Sequence, residues 1–176
     1  MASKIPDEIK RRFILSDNAT TRQEKGRILE QLICFILSQI PGVLFIETNQ
    51  LNAFHEEEVD VSAYNQKLEN GLPFLPNVLI VECKNWSAPV GAREIRDFTR
   101  RLQQRGCDHG IFVAANGITG GTELLAAQAE LRSALQDGYK ILVVTRQELE
   151  RVGEASDFIE LLIRKILRLT VGARSH

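Results

Sequence analysis

Asn77-Val78-Leu79-Ile80-Val81-Glu82-Cys83-Lys84-Asn85-Trp86 carries the strongest local signal in the chain. Four consecutive branched apolar residues, Val78 to Val81, run directly into Glu-Cys-Lys, with Gly- and Pro-containing chain on either side. A short apolar run rich in β-branched residues and bounded by breakers reads as a strand buried on both faces. Side chains alternate along a strand, so Glu82 and Lys84 project from one face, roughly 6.6 Å apart at ~3.3 Å per residue. Cys83 then points to the opposite, packed face. Ionised groups at the end of a core strand are costly unless something pairs with them, which marks this strand end as a candidate site.

Two strands precede it. Val43-Leu44-Phe45-Ile46-Glu47-Thr48 is one, and Glu56 to Tyr64 is the other by strict alternation, with Val59, Val61 and Ala63 on one face and Glu58, Asp60 and Ser62 on the other. Asn70-Gly71 and two prolines make residues 65–76 a loop or hairpin extension. Upstream, a short amphipathic helix over residues 6–15 is broken by Ser16-Asp17-Asn18. A longer helix runs from a Thr20 or Thr21 cap, with Glu24 placed to complete a capping box, to about Ile40, where Pro41-Gly42 stops it. On that helix Glu30 falls within about 20° of Leu37, so an acid sits in or beside the apolar stripe.

Downstream, a helix is expected over about 92–105, with Ile95, Phe98 and Leu102 on one side and Arg93, Arg96 and Arg100 on the other. A buried strand at 108–115 follows, and the tight turn Asn116–Gly121 opens a helix over about 122–136. A strand at 139–144 and a helical remainder with Phe158, Leu161, Leu162, Ile166 and Leu169 as its apolar side complete the order. Short loops between the first three strands favour an antiparallel meander, and the later alternation favours parallel crossovers. The fold class is therefore α/β, a mixed central sheet with helices on both faces. It forms one domain over residues 1–176, with a core at about 24–145 and a helical C-terminal region at 146–172.

The totals agree with one domain. At 176 residues, 44% apolar and 26% charged, the chain has the make-up of an ordinary globular protein. No run approaches the ~18 apolar residues of a membrane span, and Met1 to Glu8 lacks a secretory core. Cys34, Cys83 and Cys107 are scattered, as reduced thiols of a cytoplasmic protein would be, without zinc-ligand spacing. A formal net charge of −1 argues against polyanion binding by the whole surface.

If the 57–64 and 77–84 strands pair, Asp60 and Glu82 become cross-strand partners, with Lys84 beside them and Glu30 arriving from the helix. Carboxylates that close raise one another's pKa unless a cation intervenes. A hard divalent ion held by oxygen ligands is the natural solution, since Mg²⁺ commonly takes one or two carboxylates plus waters and a phosphate, and the Cys83 carbonyl is a candidate for a further ligand. Lys84 would then reach the attacking water or the developing phosphorane charge, as metal-assisted phosphodiester hydrolysis requires. The structural alternative makes Glu82–Lys84 an edge ion pair, Asp60 a solvated turn residue and Glu30 a stripe-edge glutamate reaching water.

This order of residues, helix glutamate, then Asp, then Glu-x-Lys, resembles the PD-(D/E)xK restriction-endonuclease-like superfamily, and more particularly the Mrr-type catalytic domain. Gly26-Arg27-Ile28-Leu29-Glu30 resembles its first-helix signature, and Val81 to Trp86 followed by Pro89-Val90-Gly91 its metal-site strand and turn. Asp108 to Val113 with the Asn116–Gly121 turn resembles its next strand and loop. The likeness implies that Asp60 and Glu82 bind metal, that Lys84 assists the attacking water and that Glu30 supports the site. The family's Asp often follows a Pro or a Gly-rich turn. Here Glu56-Glu57-Glu58-Val59 precedes it, and Glu58, on the same strand face, is an alternative for that role.

The activity implied is a Mg²⁺-dependent endonuclease, with Mn²⁺ able to substitute, that hydrolyses DNA in restriction, anti-phage defence or DNA processing. Arg93, Arg96 and Arg100 would grip phosphates, or form a solvated helix face. Trp86 would stack on a base or pack on the sheet, and His55 and His109 take structural roles. Two other functions fit the same fold: a catalytically weak nucleic-acid-binding or oligomerising module, and the effector domain of a larger defence protein. The ending Ala173-Arg174-Ser175-His176 after a helix is compatible with the latter. A homodimer would let one site per chain cut both strands, and the Leu161–Leu169 stripe either makes that contact or closes the core.

Overall fold

A computed structural model describes residues 4–51, 58–85, 90–117 and 121–171. Along it α1 (Ile5–Asn18) and α2 (Arg22–Ser38) precede three strands, β1 (Val43–Leu51), β2 (Glu58–Asn65) and β3 (Val78–Lys84). Then come α3 (Ala92–Gln104), β4 (His109–Ala114), α4 (Gly121–Gln136), β5 (Lys140–Thr145), the short α5 (Arg146–Leu149) and α6 (Ala155–Val171). The strands form one sheet in the order β1-β2-β3-β4-β5. The first three are antiparallel neighbours, and β3, β4 and β5 are parallel. The mixed sheet expected from the loop lengths is the one formed.

Period-2 alternation divides the core between two faces. Leu79, Val81 and Cys83 of β3, with Ile111 and Val113 of β4, pack against α1, α2 and α6. Ile80 of β3 and Phe112 and Ala114 of β4 pack against Ile95, Phe98 and Leu102 of α3 and Ala134 of α4. Because Glu82 shares the parity of Ile80, it faces α3. Strand β3 is buried from Leu79 to Cys83, as an apolar run without alternation requires. Glycine lets α3 approach the sheet here: a Cβ on Gly110 would lie 2.6 Å from the Phe98 ring and 2.8 Å from Leu102.

Helix α1 differs from the sequence expectation by continuing through Ser16-Asp17-Asn18. Ser16 is buried and accepts a hydrogen bond from Asn85, while Asn18 donates to the Ile14 carbonyl, so both residues are satisfied within the helix. Arg146 holds α1 from the other end of the chain. It pairs with Asp17 at 2.6 Å, and its guanidinium lies 4.4 Å over the Phe13 ring. Thr21 caps α2 by accepting from the Glu24 amide. Strand β1 extends beyond Thr48, past a register shift between Leu44 and Glu47 where Phe45 has φ +49°. The helical remainder is two helices, since α5 stops before Gly153, whose amide donates to the Asp157 carboxylate. In α6, Phe158 and Leu162 are buried and Leu161, Ile166 and Leu169 pack on the same cluster, so that side closes the core. No helix among the described residues is long and apolar enough to cross a membrane.

Candidate active site

Register builds the site. Val61 lies opposite Val81 and Ser62 opposite Ile80, and Asp60 comes next on β2, just past the last paired residue. The Asp60 carboxylate turns onto the neighbouring strand, where its Oδ2 accepts the Cys83 amide at 2.7 Å. Glu82 is 2% exposed. A buried carboxylate needs compensating charge, and this one has two cations: Lys84 Nζ lies 2.5 Å from Oε1 and Arg101 Nη1 of α3 lies 2.6 Å from Oε2.

Burial first, and then the Glu82 charge, raise the Asp60 carboxyl to about 6 against the opposing pull of Lys84 and the Cys83 amide. Burial likewise raises Glu30. An Asn49 hydrogen bond works against that rise, and the charges of Glu58, Lys84 and Glu82 act on the same carboxyl. Burial opposes the Lys84 ammonium, but the Glu82 and Asp60 carboxylates outweigh it, so Lys84 holds its proton above the usual lysine value. Cys83 is buried on the packed face with its thiol pushed well up by burial and by Asp60, which is unsuited to a nucleophile.

Glu30, Asp60, Glu82 and Lys84 thus share one electrostatic neighbourhood, with Glu58 at its rim. Among the described residues no three His, Cys, Asp or Glu side chains stand as a ready-made metal cage. Two contacts account for this: Glu82 is clamped by two cations and Asp60 is bent onto the Cys83 amide. The donor chemistry still fits a hard divalent ion. Carboxylate oxygens outnumber the cations facing them, and carboxylates on two adjacent strands are the ligand type such an ion takes.

The arginine trio lies exposed on α3. Arg96 pairs with Glu130 of α4 at 2.6 Å, and Arg93 stands 3.7 Å from Asp97. His109 pairs with Asp108 at 2.7 Å, a surface contact away from Glu82. His55, Glu56, Glu57, Trp86, Pro89, residues 118–120 of the turn before α4 and the C-terminal 172–176 lie outside the described residues. Reasoning from sequence missed Arg101 and Asn49. Arg101 follows Phe98 by three residues and precedes Leu102, at the edge of the apolar stripe, which is where a cation aimed at a buried acid would sit. Asn49 has φ +55°, a conformation asparagine tolerates, at the end of a strand expected to be shorter.

A family model described as a restriction endonuclease, Mrr_cat, matches residues 22–152. That span runs from the start of α2 to just beyond α5 and contains Glu30, Asp60, Glu82, Lys84 and Arg101. No curated protein matches the chain.

Proposed function

The chain belongs to the Mrr-type restriction endonuclease family, and on that footing we propose that it is a divalent-metal-dependent endodeoxyribonuclease. Its active site would be Glu30, Asp60, Glu82 and Lys84. The observation that carries this is the hydrogen bond by which Asp60 of β2 is held on the Cys83 amide, between Glu82 and Lys84 of the paired strand β3, where those two form an ion pair. Asp60 and Glu82, with the Cys83 carbonyl, would hold Mg²⁺ or Mn²⁺, and Glu30 would support them from α2. When bound, such an ion supplies Lewis-acid polarisation of the phosphate and a more acidic water.

Lys84 keeps its proton at neutral pH, so its role is that of a donor. It orients the attacking water and stabilises charge on the phosphoryl oxygens. Glu82 holds the ammonium in place at 2.5 Å. Arg93, Arg96 and Arg100 supply cations on the outer side of α3 for the nucleic-acid backbone, with DNA the substrate and restriction or anti-phage defence the setting. The Glu82 clamp gives a second reading its support: a module that binds nucleic acid on this fold without cutting would also keep that carboxylate neutralised by Lys84 and Arg101.

Incubating plasmid DNA with the protein and Mg²⁺ or Mn²⁺, beside Asp60→Ala and Lys84→Ala, separates the two. The wild type should cut and both variants should not. Equal products from all three proteins would remove the catalytic assignment.

A further inference from the structure

Glu82 faces more positive charge than one catalytic lysine supplies. Its Oε1 is taken by Lys84 at 2.5 Å and its Oε2 by Arg101 at 2.6 Å, with the glutamate side chain 3% exposed and that of Arg101 28% exposed. Lys84 comes from the same strand two residues on. Arg101 comes from α3, across the packed interface, and is the one of the two cations whose own element can carry it toward solvent.

We propose that Arg101 is an internal counter-cation that occupies the divalent-ion position at Glu82 and competes with the ion for it, so that this one guanidinium sets the metal affinity of the pocket. The inference rests on the nuclease reading above. A carboxylate has lone pairs enough for several partners, so the competition is one of charge. An ion shared by Asp60 and Glu82 would stand beside the guanidinium in a pocket little screened by water. An ammonium can relieve such repulsion by losing its proton. Arginine keeps its charge in every protein setting, so the relief left to it is to move. A second partner lies on its own helix: Asp97 is one turn before Arg101, at the favourable acid-first i, i+4 spacing, and its present contact with Arg93 is a loose 3.7 Å. The clamp also explains why the described carboxylates do not already form a cage.

Calorimetric titration of Mn²⁺ into the wild type, Arg101→Gln and Asp60→Asn tests this. Arg101→Gln should bind Mn²⁺ more tightly than the wild type by about fivefold or more, the range of ordinary coupling between sites, while Asp60→Asn should lose binding. A merely structural role for Arg101 predicts the opposite sign, since a loosened pocket holds an ion less well. Equal or weaker binding in Arg101→Gln, with the wild type still binding and cutting, overturns the proposal and leaves the nuclease reading standing. No binding by the wild type or Arg101→Gln removes that reading, and this proposal with it. Should Arg101→Gln not fold, the Arg101 Nε–H resonance of the wild type is followed during Mg²⁺ titration. It should shift as the guanidinium leaves Glu82 for the Asp97 side of its helix, and a resonance that stays put while calorimetry records the ion bound overturns the proposal.

Discussion

Burial and the neighbouring Glu82 charge raise the Asp60 carboxyl from 3.8 to about 6, so the folded, metal-free protein binds a proton there at pH values where the unfolded chain has released it. Between those two values the folded state binds more protons, and stability falls as pH rises. Asp60's contribution is therefore most favourable below about pH 4 and is lost as pH climbs through 6. Asp60→Asn removes the charge and keeps an oxygen for the Cys83 amide. In metal-free buffer at pH 7.5 it should unfold at higher temperature than the wild type, by about 2–3 kcal/mol, or roughly 4–12 °C. The gap should close near pH 4. Thermal melts at the two pH values check this, and a gap independent of pH would show that the shift has another origin. Lys84 gives the complementary case. Lys84→Ala leaves Glu82 with Arg101 and removes the donor, so it should retain Mn²⁺ binding by calorimetry while plasmid cutting drops about 100-fold or more, the usual consequence of losing one donor at a developing anion.

At the scale of elements, the β4–α3 contact fixes where Arg101 enters the site. Gly110 is the reason the helix sits so close, because a methyl group there would meet Phe98 at 2.6 Å. Gly110→Ala should lower stability by about 1–3 kcal/mol through overpacking, visible as a lower melting temperature. Adding Phe98→Leu should return part of that loss, as coupled neighbours do; purely additive effects would show that the ring is not the obstacle. The same contact separates what could be read in advance from what could not. The alternation of β2 and the apolar run of β3 are local patterns, so the burial of Val59, Val61 and Ala63 and of the stretch Leu79–Cys83 was legible, as was the apolar stripe Ile95, Phe98 and Leu102. The single face expected for the three β2 residues was not, since Val59 packs with Ile80 and Phe98 while Val61 and Ala63 join the opposite cluster. With two strands and a stripe-edge acid in place, Asp60, Glu82, Lys84 and Glu30 followed as candidates. Arg101 did not, because its partner lies on another element and its meaning depends on how deeply α3 settles over Gly110. The continuation of α1 through Ser16 was hidden for the same reason: the residue that satisfies the serine, Asn85, lies far along the chain.

Across the whole molecule, that asparagine ties the end of β3 to the helical layer. Asn85 follows Lys84 directly, is 8% exposed, and spends both amide hydrogens on it, donating to Ser16 Oγ at 2.7 Å and to the Lys25 carbonyl at 2.8 Å. Ser16 belongs to α1. Lys25 lies in α2, one turn before the segment that carries Glu30. The bond pair thus sets α2 against the end of β3, and so helps set Glu30 against Glu82 and Lys84, alongside the packed cluster that includes Leu29, Ile33 and Cys83. Asn85→Ala leaves a buried hydroxyl and a carbonyl without that donor, at a cost of about 1–3 kcal/mol. Ser16→Ala combined with it should cost less than the two changes added, because each removes the same bond. The stability loss alone would not distinguish this bond from any other buried one; the metal titration does. With the carboxylates no longer held in mutual position, Asn85→Ala should bind Mn²⁺ more weakly than the wild type, the opposite sign to Arg101→Gln. Unchanged Mn²⁺ affinity in a folded Asn85→Ala protein would mean that the core packing alone positions Glu30, and that the asparagine serves stability and nothing else.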